Sequence, residues 1–208
     1  MSGGTRQTHF EAKFSFATVQ KDHQPGLAMS ISPDRGDGSR MSYLRLEDMP
    51  GGIDVYFVDV QGVGSPANFV ETKVATGLKR SKTHSAKFVI DYKNGPSNDR
   101  VKIYIDGRRV HRGTTWENYY RFDPEASAEQ SPRTTDSLIF RTGGTAVPAN
   151  AGKGFLFDNI KLSSSKPLVK VKIGKKEYNE YNDDDNGDDS NARENDNDWD
   201  DERGNNGH

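Results

Sequence analysis

The chain has 208 residues, 31% of them hydrophobic, no cysteine and a formal net charge of −2. Lack of cysteine excludes disulfides, a thiol nucleophile and Cys-ligated zinc or iron–sulfur centres. No run of about 18 apolar residues occurs, which excludes a spanning helix, and Met1-Ser2-Gly3-Gly4 does not open a signal peptide. The small net charge hides an asymmetry: residues 177–208 hold 13 acids against Arg193 and Arg203, a charge of −11, leaving +9 on residues 1–176.

Period-2 alternation dominates from the start. Phe10, Ala12, Phe14 and Phe16 share one face of a strand whose other face is polar. Leu27, Met29 and Ile31 repeat the pattern after Gln24-Pro25-Gly26, and Pro33 to Gly38 is rich in turn formers. Met41–Leu46 and Ile53–Val60 follow, separated by Pro50-Gly51-Gly52. Phe69–Ala75, Ala86–Tyr92 and Val101–Ile105 continue the series. Asp106-Gly107 is a two-residue hairpin signal, because both positions tolerate positive φ. Thr114–Arg133 reads as irregular, and Leu138–Arg141 and Gly154–Leu162 supply closing strands. Some ten short strands and no useful helix pattern predict an all-β protein, a two-sheet antiparallel jelly-roll sandwich over residues 1–165. Residues 166–176, with Val169, Val171 and Ile173 against Lys170 and Lys172, form a basic strand-like extension or linker. Residues 177–208 are too polar to offset the entropy of ordering and read as a disordered acidic tail.

Three stretches carry a family resemblance. They are Gly26–Ser32 with Met41–Leu44, the hairpin Val101–Arg108, and the closing Gly154–Leu162, which contains Phe157-Asp158-Asn159-Ile160. Each resembles strands of the concanavalin A-like lectin/glucanase superfamily in its laminin G-like and bacterial surface-protein versions. The resemblance implies two curved sheets with ligands on the concave face or the loop rim. Asp158 and Asn159 resemble a position that ligates calcium in some relatives, so they are the candidate metal residues.

Glycanases of this superfamily place carboxylates on one strand as Glu-x-Asp-x-x-Glu. Here only Asp54 and Asp59 come near, and their odd spacing points them to opposite faces. Lyases on similar sandwiches pair a Tyr or His base with Arg and an amide that neutralise a uronate. Tyr43, Arg45, Tyr56 and Tyr104 are each out of phase with their strand's core residues and could line one outer face. The lyase sequence motifs are nevertheless missing. With Trp116 and Tyr119 from the irregular segment, these four make the candidate ligand-binding set. Arg35-Gly36-Asp37 is an integrin-type tripeptide of the kind that recurs by chance, and the five histidines show no ligand spacing. Lys79-Arg80-Ser81-Lys82 and Arg108, Arg109 and Arg112 are basic clusters suited to an acidic polymer.

These features predict a non-catalytic binding or adhesion module, extracellular or at a cell surface with the cytoplasm as alternative, contacting a glycan or other anionic polymer. It would not be an enzyme. A structural subunit of a self-assembling layer, filament or shell, associating through residues 166–176, is the alternative, and a polysaccharide hydrolase or lyase the third reading. Calcium is the one cofactor the resemblance suggests, and nucleic acid is not an expected partner.

Overall fold

Alternating sequences become strands because one face can be buried while the other stays wet. The computed structural model describes residues 8–34, 39–123, 135 and 137–165 and has ten strands among them, of which the first and third show this alternation most plainly. The described residues fall within one compact unit, Met1–Leu168. The expectations placed on Arg35–Gly38, on residues 124–134 and on the extension and acidic tail at 166–208 lie outside the described residues.

The strands are β1 (His9–Thr18), β2 (Ala28–Asp34), β3 (Tyr43–Met49), β4 (Gly52–Val60), β5 (Phe69–Leu78), β6 (His84–Asp91), β7 (Arg100–Ile105), β8 (Arg108–Gly113), β9 (Ser137–Gly143) and β10 (Phe155–Ser165). They make two five-stranded antiparallel sheets, ordered β10-β1-β6-β7-β8 and β5-β4-β3-β2-β9. This is the jelly-roll sandwich that the concanavalin A-like resemblance implied. The stretch after Thr114 is less irregular than its sequence suggests, since Glu117–Phe122 forms a short helix, α1. Six residues are too few to show a helical hydrophobic period, so no sequence pattern announces it.

The core lies between the inner faces. Phe10, Phe14 and Phe16 of β1 and Phe88 and Ile90 of β6 meet Ile31, Leu44, Leu46, Val55 and Phe57 of the opposite sheet, all buried. Phe14 bridges the sheets, with ring centroids 5.9 Å from Phe157 and 6.0 Å from Phe140. The hairpin at Asp106-Gly107 forms as read, with φ of 49° and 81°.

Three chain crossings between the sheets converge at one end, where Asp48 joins them. Arg80 donates to Asp48 Oδ1 from Nε at 2.7 Å, and its Nη2 lies 2.6 Å from the same oxygen. Gln24 donates to Asp48 Oδ2 from its backbone N at 3.2 Å and its side chain at 3.1 Å. The Gln24 amide also donates to the carbonyl of Gly154, just before β10, and Arg80 bonds the carbonyl of Met49. Gly26 and Gly144 pack back to back here with φ near +72°, and a Cβ on Gly26 would stand 2.0 Å from the Thr145 carbonyl oxygen. Arg80, read from sequence as part of an anion-binding cluster, is instead an internal tie.

Because Asp48 is fully enclosed, removing its charge strands Arg80 in a nearly dry site. Asp48→Ala is expected to cost about 3–5 kcal/mol, whereas Lys79→Ala and Lys82→Ala, both exposed, should each stay within about 0.5 kcal/mol. Urea unfolding of the three variants checks this, and an unchanged midpoint for Asp48→Ala contradicts it.

Candidate functional site

Strand pairing decides which polar side chains meet. On the outer face of the second sheet, Arg141 of β9 pairs with Ser30 of β2, Ser30 with Arg45 of β3, Arg45 with Tyr56 of β4, and Tyr56 with Lys73 of β5. The phenol ring of Tyr56 lies under the Arg45 guanidinium, 4.2 Å from the ring centroid, with the Lys73 ammonium at 5.2 Å. Arg45 is held flat by carboxylates. It donates to Glu71 from Nε at 3.1 Å and Nη2 at 2.7 Å, and its Nη1 bonds Glu47. Burial pulls the Arg45 pKa down, but the bonds to Glu71 and Glu47 outweigh it and leave the pKa raised.

Asp54 anchors Lys73 at 2.7 Å and also accepts from Thr76 and the Gly77 backbone. Burial opposes its ionisation, yet these donors hold its pKa below the ordinary value. Asp59, on the other face of β4, accepts from Thr114 N at 2.9 Å. The two aspartates therefore point apart, as their spacing requires, and both are buried.

One end of this face is aromatic. Trp116 stands edge-on to Phe69 at 4.8 Å and to Tyr43 at 5.8 Å, and Tyr119 meets Phe69 at 5.3 Å. Trp116 is fixed by its indole N–H to the Val58 carbonyl at 3.2 Å. Beside Tyr43 sits Arg40, its guanidinium 5.5 Å from the ring centroid. Burial and the neighbouring charge of Arg141 both lower the Arg40 pKa. The charges of the two arginines thus disfavour one another. Burial, then Glu71, raises the Tyr43 pKa, so its phenol stays protonated.

Five of the six ligand-binding candidates, Tyr43, Arg45, Tyr56, Trp116 and Tyr119, are gathered on this face and its end. Tyr104 is not. It belongs to β7 of the first sheet and faces outward from the opposite side of the sandwich, because the period-2 phase marks a side chain as outward without naming the sheet. Arg40, Phe69, Lys73 and Arg141 were missed; the long-range pairing of β2 with β9 and β4 with β5 brings in the last three, and a bridge to Asp34 places Arg40.

The first sheet's outer face is basic. Lys161 of β10 pairs with Lys13 of β1, Lys13 with Lys87 of β6, and Lys87 with Tyr104. A shallow cleft of about 660 Å³ opens over them. Farther along, His9 Nδ1 is 2.7 Å from Asp91 Oδ1, and Lys102 donates to the other oxygen at 3.2 Å. Asp158 and Asn159 lie in a bulge of edge strand β10, where Asn159 has φ of 52° and its backbone N donates to Asp158 Oδ1 at 2.6 Å. Among the described residues, no three His, Cys, Asp or Glu side chains stand together to hold a metal ion. No helix among them is long and apolar enough to cross a membrane.

No family model and no curated protein matches the sequence. Solved structures resemble it in fold. An endo-β-1,4-glucuronan lyase from the fungus Trichoderma reesei is 16% identical with a TM-score of 0.43, covering 77% of this chain and 70% of its own. An alginate lyase from Pseudomonas aeruginosa is 10% identical with a TM-score of 0.45, over 76% and 66% of the two chains. An alginate lyase of polysaccharide lyase family 7 is 15% identical with a TM-score of 0.44, over 78% and 66%. The likeness is one of fold. All three are enzymes, and the comparison corrects the expectations of a non-catalytic binding or adhesion module and of a protein that is not an enzyme.

The His9–Asp91 pair sets a pH dependence of known sign. The Asp91 hydrogen bond outweighs burial and raises the His9 pKa above 6.5. Burial opposes the charge on Asp91, but His9 and Lys102 hold its pKa below 3.8. His9 therefore adds stability that is complete below 6.5 and is lost as pH rises through its higher folded value. The Asp91 contribution is present above 3.8 and lost as pH falls through its lower folded value. Burial lowers the pKa of His111, which works the other way by penalising protonation. Comparing melting midpoints of wild type and Asp91→Asn isolates the pair. Their difference should be larger at about pH 5 than at about pH 8, and a difference independent of pH removes the assignment.

Proposed function

We propose that the protein cleaves an acidic polysaccharide by β-elimination on the outer face of the second sheet. The observation that carries the reading is the Arg45–Tyr56–Lys73 row beside Tyr43 and the mutually repelling Arg40 and Arg141. Elimination from a 4-linked uronate needs three things. A cationic group must neutralise the carboxylate next to C5, a base must take the C5 proton, and a proton must reach the leaving oxygen as the C4–O bond breaks.

This face contains a group for each. Arg40 and Arg141, whose charges disfavour one another, are the cations offered to the carboxylate. Tyr56, with cations along its ring, is the proton acceptor: it gives its own proton to solvent and takes the C5 proton as the phenolate. Tyr43, kept protonated by burial and by Glu71, is the donor to the leaving oxygen. Phe69, Trp116 and Tyr119 offer a sugar-stacking edge at the end of the row. Lyase activity is also what the named structures of like fold possess, and an extracellular or cell-surface setting agrees with a polymeric substrate.

Incubation with a panel of polyuronates tests the reading, since elimination leaves a conjugated C4=C5 uronate that absorbs in the ultraviolet. Absorbance should rise with at least one polyuronate and with no neutral glucan. Tyr56→Phe should lower kcat by about 10²-fold or more, and Arg141→Ala should act mainly on KM. New reducing ends without unsaturation, or no cleavage of any polyuronate, would sink the proposal.

A further inference from the structure

The first sheet has a second feature that the proposed reaction does not use. Across β10, β1, β6 and β7, Lys161, Lys13, Lys87 and Tyr104 stand side by side in one row. Three strand spacings make the row about 14 Å wide. The cleft above it, about 660 Å³, is lined by these four with Glu11, Ser85 and Ser163 among its other walls. Its charge is unbalanced, with three lysines against one glutamate. Glu11 is committed to Lys87, 3.4 Å away, and to His9, while Lys13 and Lys161 make no ion pair among the described residues. Like charges at neighbouring positions of a sheet are destabilising unless something anionic covers them.

We propose that this cleft is a second binding site for an acidic polysaccharide chain, on the side of the sandwich opposite the proposed reaction. The row runs across the strands, so its cations repeat at the strand spacing and suit a linear polymer that carries charge along its length. Lysines act here as point charges that do not demand the fork geometry of arginine. Ser85 and Ser163 add hydroxyls able to bond sugar hydroxyls. A single-stranded nucleic acid would need successive aromatic platforms for its bases. The row has one aromatic ring, Tyr104, and the Lys87 ammonium already lies 5.0 Å from its centroid. The class of polymer rests on the reading of the opposite face; the site itself rests on the lysine row.

The test uses the full chain and an end-labelled polyuronate followed by fluorescence anisotropy over a range of salt. Combined Lys13→Ala, Lys87→Ala and Lys161→Ala should weaken binding by about tenfold or more at low salt. It should also reduce the salt slope by about three, one per lost cation. A control triple of exposed lysines elsewhere, Lys21→Ala, Lys79→Ala and Lys82→Ala, should stay within about twofold. Equal loss in both triples, or none in the first, overturns the site. Displacement of the polyuronate by single-stranded DNA at matched charge overturns the ligand class. Cleavage of a short oligouronate is read in parallel. No unsaturated product from wild type defeats the reaction proposed above but leaves the binding comparison standing, and normal product with unchanged polymer binding does the reverse.

Discussion

The sandwich depends on one buried carboxylate. Asp48 sits at the end of β3 where the links from β1 to β2, from β5 to β6 and from β9 to β10 all pass between sheets. Two sheets packed face to face are held mainly by the hydrophobic effect, which is non-directional and does not choose a register for one against the other. Hydrogen bonds do have direction. Asp48 fixes Arg80, Gln24 and, through the Gln24 amide, the approach to β10. The relative placement of these three chain crossings is therefore fixed by a single polar cluster, in which the Gln24 side-chain oxygen is left without a partner among the described residues.

The strands were legible in the sequence because alternation is local. Phe10 to Phe16 reads as a half-buried strand without reference to anything else, and Asp106-Gly107 reads as a hairpin from two residues. The outward phase of Tyr43, Arg45, Tyr56 and Tyr104 was equally local. Which sheet each residue would join was not, because that depends on pairing across gaps of a hundred residues, as between Ser30 and Arg141. Tyr104 was misplaced for this reason. Arg80 shows the complementary limit, since a basic run looks alike in sequence whether its middle member meets solvent or a buried aspartate.

The two outer faces handle charge differently. On the second sheet, Arg45 and Lys73 stand among three carboxylates, Glu47, Glu71 and Asp54, so the row around Tyr56 is tied by ion pairs, while the charges of Arg40 and Arg141 disfavour one another. On the first sheet the balance is struck around Asp91 and Glu11 and fails at Lys13 and Lys161. Preorganised, compensated charge suits chemistry, where groups must not move. Surplus exposed charge suits loose capture, which is screened by salt.

The bulge at Asn159 bears on how the protein behaves at high concentration. Strand β10 closes one edge of the first sheet and is eleven residues long, enough to serve as a template for a strand from a neighbouring molecule. The left-handed turn at Asn159 breaks that edge into two short stretches, and Ile160 is left 47% exposed beside it. Neither stretch alone presents a long, flat ladder of donors and acceptors. At the other edge of the sheet, Arg108, Arg109 and Arg112 on β8 set like charges facing one another in any edge-to-edge pair. One misaligned residue in β10 thus works as a guard against runaway strand addition, the route by which sandwiches turn into fibrils.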